Sequence, residues 1–192
     1  EKHKIQSNTF IESDIIVSLT SFPARIEYVY LTIESLLRQT HRPHKVLLWL
    51  SLEQFESKDS LPASLLKLEN DVFEIRMVTS DLRSHKKYYY ALREFPDSTL
   101  ITVDDDVIYS PFLVESLAKN HKKFPNAIIA NNTTRISYNK GKLNPYMKWE
   151  HRIENYACDN LVQIGVGGVL YPQGSLYRDV TNSEVFMSCS MT

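Results

Sequence analysis

Residues 99–111 read TLITVDDDVIYSP, a β-branched run that ends in three adjacent aspartates. Ionised carboxylates side by side repel, so a fold that holds Asp104, Asp105 and Asp106 together needs an opposing charge or full solvation. The run before them, TLITV (99–103), has the composition of a strand. Behind them, Ser110 and Pro111 predict a helix to about Lys122, with serine as N-cap and proline at the first helical position. A strand, an acidic turn and a helix in that order make one βα unit, and the question is whether the rest of the chain repeats it.

It does. DIIVSLT (14–20) is a short apolar run of strand type, closed by SFPAR. Ile26, Val29, Tyr30, Ile33, Leu36 and Leu37 then recur at helical spacing and predict an amphipathic helix from Ile26. KVLLWL (45–50) is a second strand and PASLLKLEN (62–70) a short helix with Pro62 in its first turn. FEIRMVT (73–79) alternates as a third strand, KKYYYALREF (86–95) predicts a helix, and AIIA (127–130) is a fifth strand after TLITV. This alternation defines an α/β fold with a mainly parallel central sheet flanked by helices. Ligands of such sheets bind beyond the carboxyl ends of the strands. The aspartates sit at that end of the fourth strand, and TSFPAR at that end of the first.

After residue 130 the pattern changes to TTRISYNKGKLNPYMKWEH and then LVQIGVGGVLYPQG, and four of the chain's five glycines fall between 165 and 174. Such crowding marks backbone that turns sharply or is closely approached by a ligand. The reading is a polar tail over 1–13, a ligand-binding lobe over 14–130 and a second lobe over 131–192 that completes a cleft. A chain of 192 residues with 43% hydrophobic and 11% aromatic content has the material for such a core, and a net charge of −1 gives no reason to expect nucleic acid or a membrane surface as partner. No apolar run approaches the roughly 18 residues of a transmembrane span, and no signal-like start is present. Two cysteines, Cys158 and Cys189, make no disulfide framework and imply a reduced, cytoplasmic setting. The first residue is Glu rather than Met, which is read as a chain trimmed from a longer one.

Clustered carboxylates become favourable when a hard divalent cation opposes them, and oxygen ligands suit Mg²⁺ or Mn²⁺. The competing reading is a solvated acidic turn, or charge complementarity with the helix that follows. Lys86 and Lys87, beside Ser84 and His85 at the start of a helix, fit diphosphate oxygens, or are a solvated lysine pair. Thr20, Ser21, Phe22 and Arg25 fit a nucleotide base lying on the loop after the first strand, or are a polar turn. Trp149 and Tyr146 stack on a sugar or pack together. None of the six histidines has metal-ligand spacing, and His121 and His151 read as surface residues.

The segments SLTSFPARI, KKYYYAL, ITVDDDVIYSP and QIGVGGVLYP, spread over residues 14–190, resemble the sugar-nucleotide-dependent glycosyltransferases of the GT-A fold, in particular bacterial family-2-like enzymes. The resemblance implies a Rossmann-like fold and a nucleotide-diphosphate-sugar donor, UDP-linked by preference. It implies Mn²⁺ or Mg²⁺ held by the Asp-x-Asp motif, with Asp106 as the direct ligand, Asp104 near ribose, sugar or metal, and Asp105 ambiguous because three in a row permit two registers. Thr20, Ser21, Phe22, Arg25, Lys86, Lys87, Asp104 and Asp105 would then bind donor, with Trp149, Gly167 and Gly168 on the acceptor side. The expected activity is metal-assisted, inverting transfer of a hexosyl-type group to a glycan or lipid-linked acceptor in surface polysaccharide synthesis. The expected place is the cytoplasm, extending to the periphery of the inner membrane.

One departure stands out. Inverting members use a carboxylate base in an acidic pair shortly after such a glycine segment, and no acidic pair follows Glu184 here. The base is expected beyond Thr192, with Asp159, Asp179 and Glu184 as substitutes. Sugar-nucleotide pyrophosphorylases share a similar architecture but need a glycine-rich phosphate loop after strand one, which TSFPAR lacks. Aspartyl phosphatases place Asp-x-Asp after the first strand rather than the fourth. A non-catalytic nucleotide-sugar or glycan-binding module is the other class the sequence admits.

Overall fold

The computed structural model describes residues 14–152 and 158–189, so the expected tail over 1–13 and the region of Thr192 lie outside the described residues. β1 (Ile15–Thr20), β2 (Lys45–Ser51), β3 (Phe73–Val78) and β4 (Thr99–Thr102) pair in parallel in the order β3-β2-β1-β4. The chain therefore builds outward from β1 to β3 and then crosses back to lay β4 on β1's other side. That reversal opens a crevice between the carboxyl ends of β1 and β4.

β1 and β2 are buried almost throughout, the mark of parallel strands covered on both faces. Alternate side chains sort the helices. Val17, Leu19, Val46, Leu48 and Leu50 pack with Val29, Ile33 and Leu36 of α1 (Val29–Leu37), Leu65 of the single-turn α2 (Ala63–Leu66), and Val114 and Leu117 of α4 (Leu113–Lys123). Ile16, Leu47, Trp49 and Leu100 point the other way, onto Ala91 of α3 (Lys86–Glu94) and its neighbours. Trp49 stacks on Tyr90 of α3 with ring centroids 5.4 Å apart.

Two expected helix starts move and a third helix is shorter than expected. Residues 23–28 form successive turns rather than helix, with the Arg25 amide bonded to the Phe22 carbonyl and the Tyr28 amide to that of Arg25, both at 3.0 Å. α2 is one turn rather than the nine residues from Pro62: residues 67–68 form a turn, and Asn70 caps the start of β3 through Val72 and Phe73. Ser110 and Pro111 precede α4 instead of opening it. The Ser110 carbonyl is taken by Gln39 Nε2 at 2.8 Å and by the Leu113 amide at 3.1 Å, and the helix begins two residues after Pro111, at Leu113.

Beyond α4 come β5 (Ile129–Ala130), β6 (Thr133–Arg135), the hairpin β7 (Tyr138–Asn139) and β8 (Lys142–Leu143), then β9 (Glu150–Arg152), β10 (Leu161–Gln163) and β11 (Val169–Tyr171). The hairpin turns at Lys140 and Gly141, both with positive φ, which matches the twist of the paired strands. β10-β6-β9 form a small antiparallel sheet. β11 returns to the large sheet, antiparallel to β4 on one side and β5 on the other. The strands after residue 130 thus build the small sheet and, through β11, also join the large one.

The last helix, α5 (Ser183–Cys189), lays Phe186 against His85 at 4.5 Å, with Tyr88 and Tyr89 around it. His85 Nε2 is buried without a hydrogen-bond partner among the described residues, and burial pushes the imidazole pKa below its ordinary value. The unfolded chain then binds this proton more readily than the folded one, so stability should fall as pH drops below about 6.5. Between pH 7.5 and 5.5, urea denaturation should show a larger loss for the wild type than for His85→Phe. Equal losses would show that this ring does not couple the docking of α5 to pH.

Candidate functional site

The carboxyl ends of β1 and β4 bring the first-strand loop and the aspartate turn together. Asp105 is the one that points inward: its side chain is 7% exposed and takes the Arg25 guanidinium at 2.8 Å. Its other oxygen accepts the Ser21 hydroxyl at 2.6 Å, and its backbone carbonyl accepts Thr32 Oγ1 at 2.9 Å. The hydrogen bond to Asp105 pushes the Arg25 pKa above its already high value and keeps that side chain charged. Arg25 also reaches Asp106 at 2.9 Å, and Lys87 reaches Asp104 Oδ1 at 2.7 Å. The opposing charge that three adjacent carboxylates require is therefore supplied first by the protein's own cations.

Buried polar groups on α1 and just past its end hold the turn in place: Thr32 and Ser35 lie on the helix, and Gln39 follows its C-cap. Ser35 Oγ accepts the Tyr109 amide at 3.0 Å, and Gln39 bridges the Ser110 carbonyl and the Val114 amide. The Tyr109 hydroxyl in turn accepts the Asp104 amide at 2.9 Å, and burial pushes that phenol well above its usual pKa. On the other side, Trp49 Nε1 donates to Ser18 Oγ at 2.9 Å, and the Ser18 hydroxyl donates to the Lys87 carbonyl. These bonds tie the first turn of α3, and with it Lys87, to the sheet.

Thr20, Ser21, Phe22, Arg25, Lys86, Lys87, Asp104, Asp105 and Asp106 all line one cavity of about 570 Å³. The structure adds Gln54, Asp81, Arg83, Ser84 and Val103 to that wall. Lys86 is only 2% exposed and paired with Asp81, whereas Lys87 is 17% exposed at the aspartate turn. Gln54 Oε1 is buried with no hydrogen-bond partner among the described residues. Gln54 lies after β2, and Asp81 and Arg83 on the connection between β3 and α3, with no motif to flag them. Their convergence follows only from the β1-β2-β3 order.

The glycine segment reaches the same place. A Cβ on Gly165 would lie 3.7 Å from both Asp104 carboxylate oxygens and 3.8 Å from Lys87 Nζ. Gly167 and Gly168 have φ of +96° and +87°, and side chains there would meet Asn132 and Leu113. These two serve the turn, which Asn131 and Asn132 fasten by donating to the carbonyls of Gly167 and Val166, both at 2.7 Å. Trp149 does not line the cavity. Its indole donates to the Asn144 carbonyl at 2.8 Å and its ring meets Tyr146 edge-on.

Of the three substitute carboxylates, Asp159 lines a separate cavity of about 600 Å³ with Lys123 and Cys158. Asp179 lies in the short 3₁₀ turn Arg178–Thr181, and Glu184 in the first turn of α5. None lines the aspartate cavity. Among the described residues, no group of three or more His, Cys, Asp or Glu side chains is arranged to hold a metal ion. With Asp105 occupied by Ser21 and Arg25, a cation would be held by Asp104 and Asp106. These two carboxylates each have one oxygen committed to a protein cation and keep a second. Two carboxylates completed by ligand phosphates are a fitting donor set for Mg²⁺.

No protein-family profile and no curated protein sequence matches the chain. Among solved structures, it is similar to 4-diphosphocytidyl-2C-methyl-D-erythritol synthase from Anaerococcus prevotii, with a TM-score of 0.55 and 13% identity over 94% of this chain and 77% of that one. It is also similar to HddC from Yersinia pseudotuberculosis, with a TM-score of 0.48 and 11% identity over 86% of this chain and 80% of that one. The first of these likenesses supports the α/β fold with its mainly parallel central sheet. No helix among the described residues is long and apolar enough to cross a membrane.

If Asp105 fastens the turn and Asp106 does not, their amides should differ in stability. Asp105→Asn should cost roughly 1.5–3 kcal/mol, the range for a hydrogen bond to a charged group. Asp106→Asn, at a half-exposed position, should stay within about 0.5 kcal/mol. Urea denaturation measures both, and equal losses would contradict the assignment.

Proposed function

We propose that the chain is a nucleotide-sugar-dependent glycosyltransferase that moves a sugar from a nucleoside-diphosphate donor, UDP-linked by preference, to a glycan or lipid-linked acceptor. The observation that carries this reading is the aspartate turn at the β1/β4 crevice, walled by cations from three separate elements. Arg25, Arg83, Lys86 and Lys87 face Asp81, Asp104, Asp105 and Asp106 across the cavity, so the formal charges cancel. A diphosphate entering a neutral pocket brings uncompensated negative charge, and a divalent cation accompanying it restores the balance. Asp104 and Asp106 are the residues that would hold Mn²⁺ or Mg²⁺. Such an ion supplies positive charge to the departing diphosphate.

The protein's own groups then divide the remaining work. Gln54 offers a buried acceptor, and Thr20 and Phe22 a polar edge and an exposed ring, on the side of the cavity where a base would lie. Lys87 stands between the aspartate turn and the glycine segment, where its ammonium would move from Asp104 to the diphosphate oxygens. Arg25 and Asp105 keep the loop and the turn in register. Each carboxylate lining the cavity is paired with a cation, so none of them is a free base for the acceptor hydroxyl. In an inverting transfer that base would come from outside this set.

Nucleotidyl transfer is the other chemistry this architecture supports. It needs a cradle of backbone amides around a triphosphate, which a glycine-rich loop provides. Here the loop after β1 carries no glycine, and its Ser21 and Arg25 side chains are bonded to Asp105. A loop without those glycines lacks the usual makings of such a cradle, and this favours glycosyl transfer.

Calorimetric titration of UDP with Mn²⁺ and then with EDTA should show binding that depends on the metal, and the Asp104→Asn/Asp106→Asn double variant should lose it. UDP release from UDP-sugars, with glycan or lipid-linked acceptors present, should exceed pyrophosphate release from UTP or CTP with sugar phosphates. Metal-independent binding would remove the metal from the proposal. The opposite activity ratio would replace glycosyl with nucleotidyl transfer. Binding without any release would make the chain a nucleotide-sugar-binding module.

A further inference from the structure

Of the four cations lining the cavity, three are already engaged: Arg25 by Asp105 and Asp106, Lys86 by Asp81, and Lys87 by Asp104. Arg83 is the fourth. It lines the cavity, is exposed, and pairs with no carboxylate among the described residues. Its backbone is also unusual, with a φ of +51°. An arginine gains nothing from the left-handed region, and such conformations persist only where the surroundings enforce them, often at ligand clamps.

Here the enforcement is visible. Asp81 Oδ1 accepts the Arg83 amide at 3.0 Å and also takes the Lys86 ammonium, while the His85 amide bonds to the Leu82 carbonyl at 3.0 Å. Asp81 is in turn held by its own amide on Glu53 Oε1 at 3.2 Å. One carboxylate therefore fixes the strained backbone and neutralises the neighbouring lysine. The Arg83 guanidinium is left as the cation with no internal partner at the cavity wall. Glycine would adopt this backbone without strain, so the turn itself gives no reason for arginine.

We propose that Arg83 is an anion-binding residue of this site and receives the ligand's diphosphate oxygens through its guanidinium. The proposal rests on reading the cavity as a nucleotide site, and it adds a residue outside the aspartate turn and the lysine pair. A planar guanidinium matches two phosphate oxygens at once, which a lysine ammonium does not. Because Arg83 breaks no internal ion pair when it binds, its contact is gained without leaving a carboxylate unpaired. Lys86 and Lys87 each have a partner to leave.

The test measures UDP, uridine and inorganic pyrophosphate binding to the wild type, Arg83→Ala, Arg83→Lys and Arg83→Gly, together with each variant's thermal midpoint. UDP affinity should fall roughly 10–100-fold in Arg83→Ala, the range for a lost hydrogen bond to a charged group. Uridine affinity should change by less than about 2-fold, because uridine carries no anion to lose the charge-assisted contact. Arg83→Lys should recover part of the loss. Arg83→Gly should bind UDP as weakly as the alanine variant while melting at or above the wild-type temperature, since relief of backbone strain and loss of ligand contact go in opposite directions.

Unchanged UDP affinity in Arg83→Ala, or equal losses for UDP and uridine, would overturn the proposal. So would an Arg83→Gly midpoint well below wild type, which would make the arginine a structural requirement. If pyrophosphate binds in an Arg83-dependent way and uridine does not bind at all, the anion site stands and the nucleotide reading falls. If the wild type binds none of the three, both fall.

Discussion

The site depends on one buried carboxylate. Asp105 accepts a hydroxyl from the β1 loop and a guanidinium from the turn after it, and its backbone carbonyl accepts a hydroxyl from α1. The stretch 21–32 is thereby fastened at three points to a residue 73 to 84 positions further along the chain. Burying an ionised group is favourable only when it is paired and hydrogen-bonded, and Asp105 has both kinds of partner. Its neighbours inherit their positions from it: with Asp105 turned inward, Asp104 and Asp106 project on the cavity side of the turn, where Lys87 and Arg25 meet them.

Two features follow from that division. The cavity is charge-balanced without a ligand, so a binding anion must bring a cation, displace a carboxylate from its partner, or use the one cation that is not engaged. The second feature is the closeness of Gly165 to the Asp104–Lys87 pair. Any side chain there would lie against the pair, so the segment from the second half of the chain and the charge at the site are packed as one unit. β11, which follows that segment, is locked between β4 and β5. The glycine run is thereby tied to the strand that carries the aspartates.

Much of this was legible in the sequence for physical reasons. Fully buried parallel strands read as unbroken apolar runs, and IIVSLT and KVLLWL could not be mistaken. The aspartates stand out because adjacent like charges need an explanation, and the lysines and the TSFPAR loop fall at ends of elements where ligands bind. The structure brings all of these to one cavity. Gln54, Asp81 and Arg83 were not legible, since single polar residues on loops carry no periodicity and meet only through the strand order. Thr32 and Ser35 are polar residues on a helix whose apolar face is its sequence signal, and Gln39 lies just past its end. The return of β11 was hidden by its length of three residues. Trp149 was singled out by its residue type alone, and it packs on Tyr146 away from the cavity wall.

The central claim is that Asp105 is structural and that Asp104 and Asp106 face the ligand. A crystal structure with UDP and Mn²⁺, with the metal located by anomalous scattering, tests it most directly. The account predicts a manganese peak bounded by Asp104, Asp106 and diphosphate oxygens in the β1/β4 crevice, with Asp105 still bonded to Ser21 and Arg25. A manganese ion coordinated by Asp105, or UDP bound away from this crevice, would contradict it.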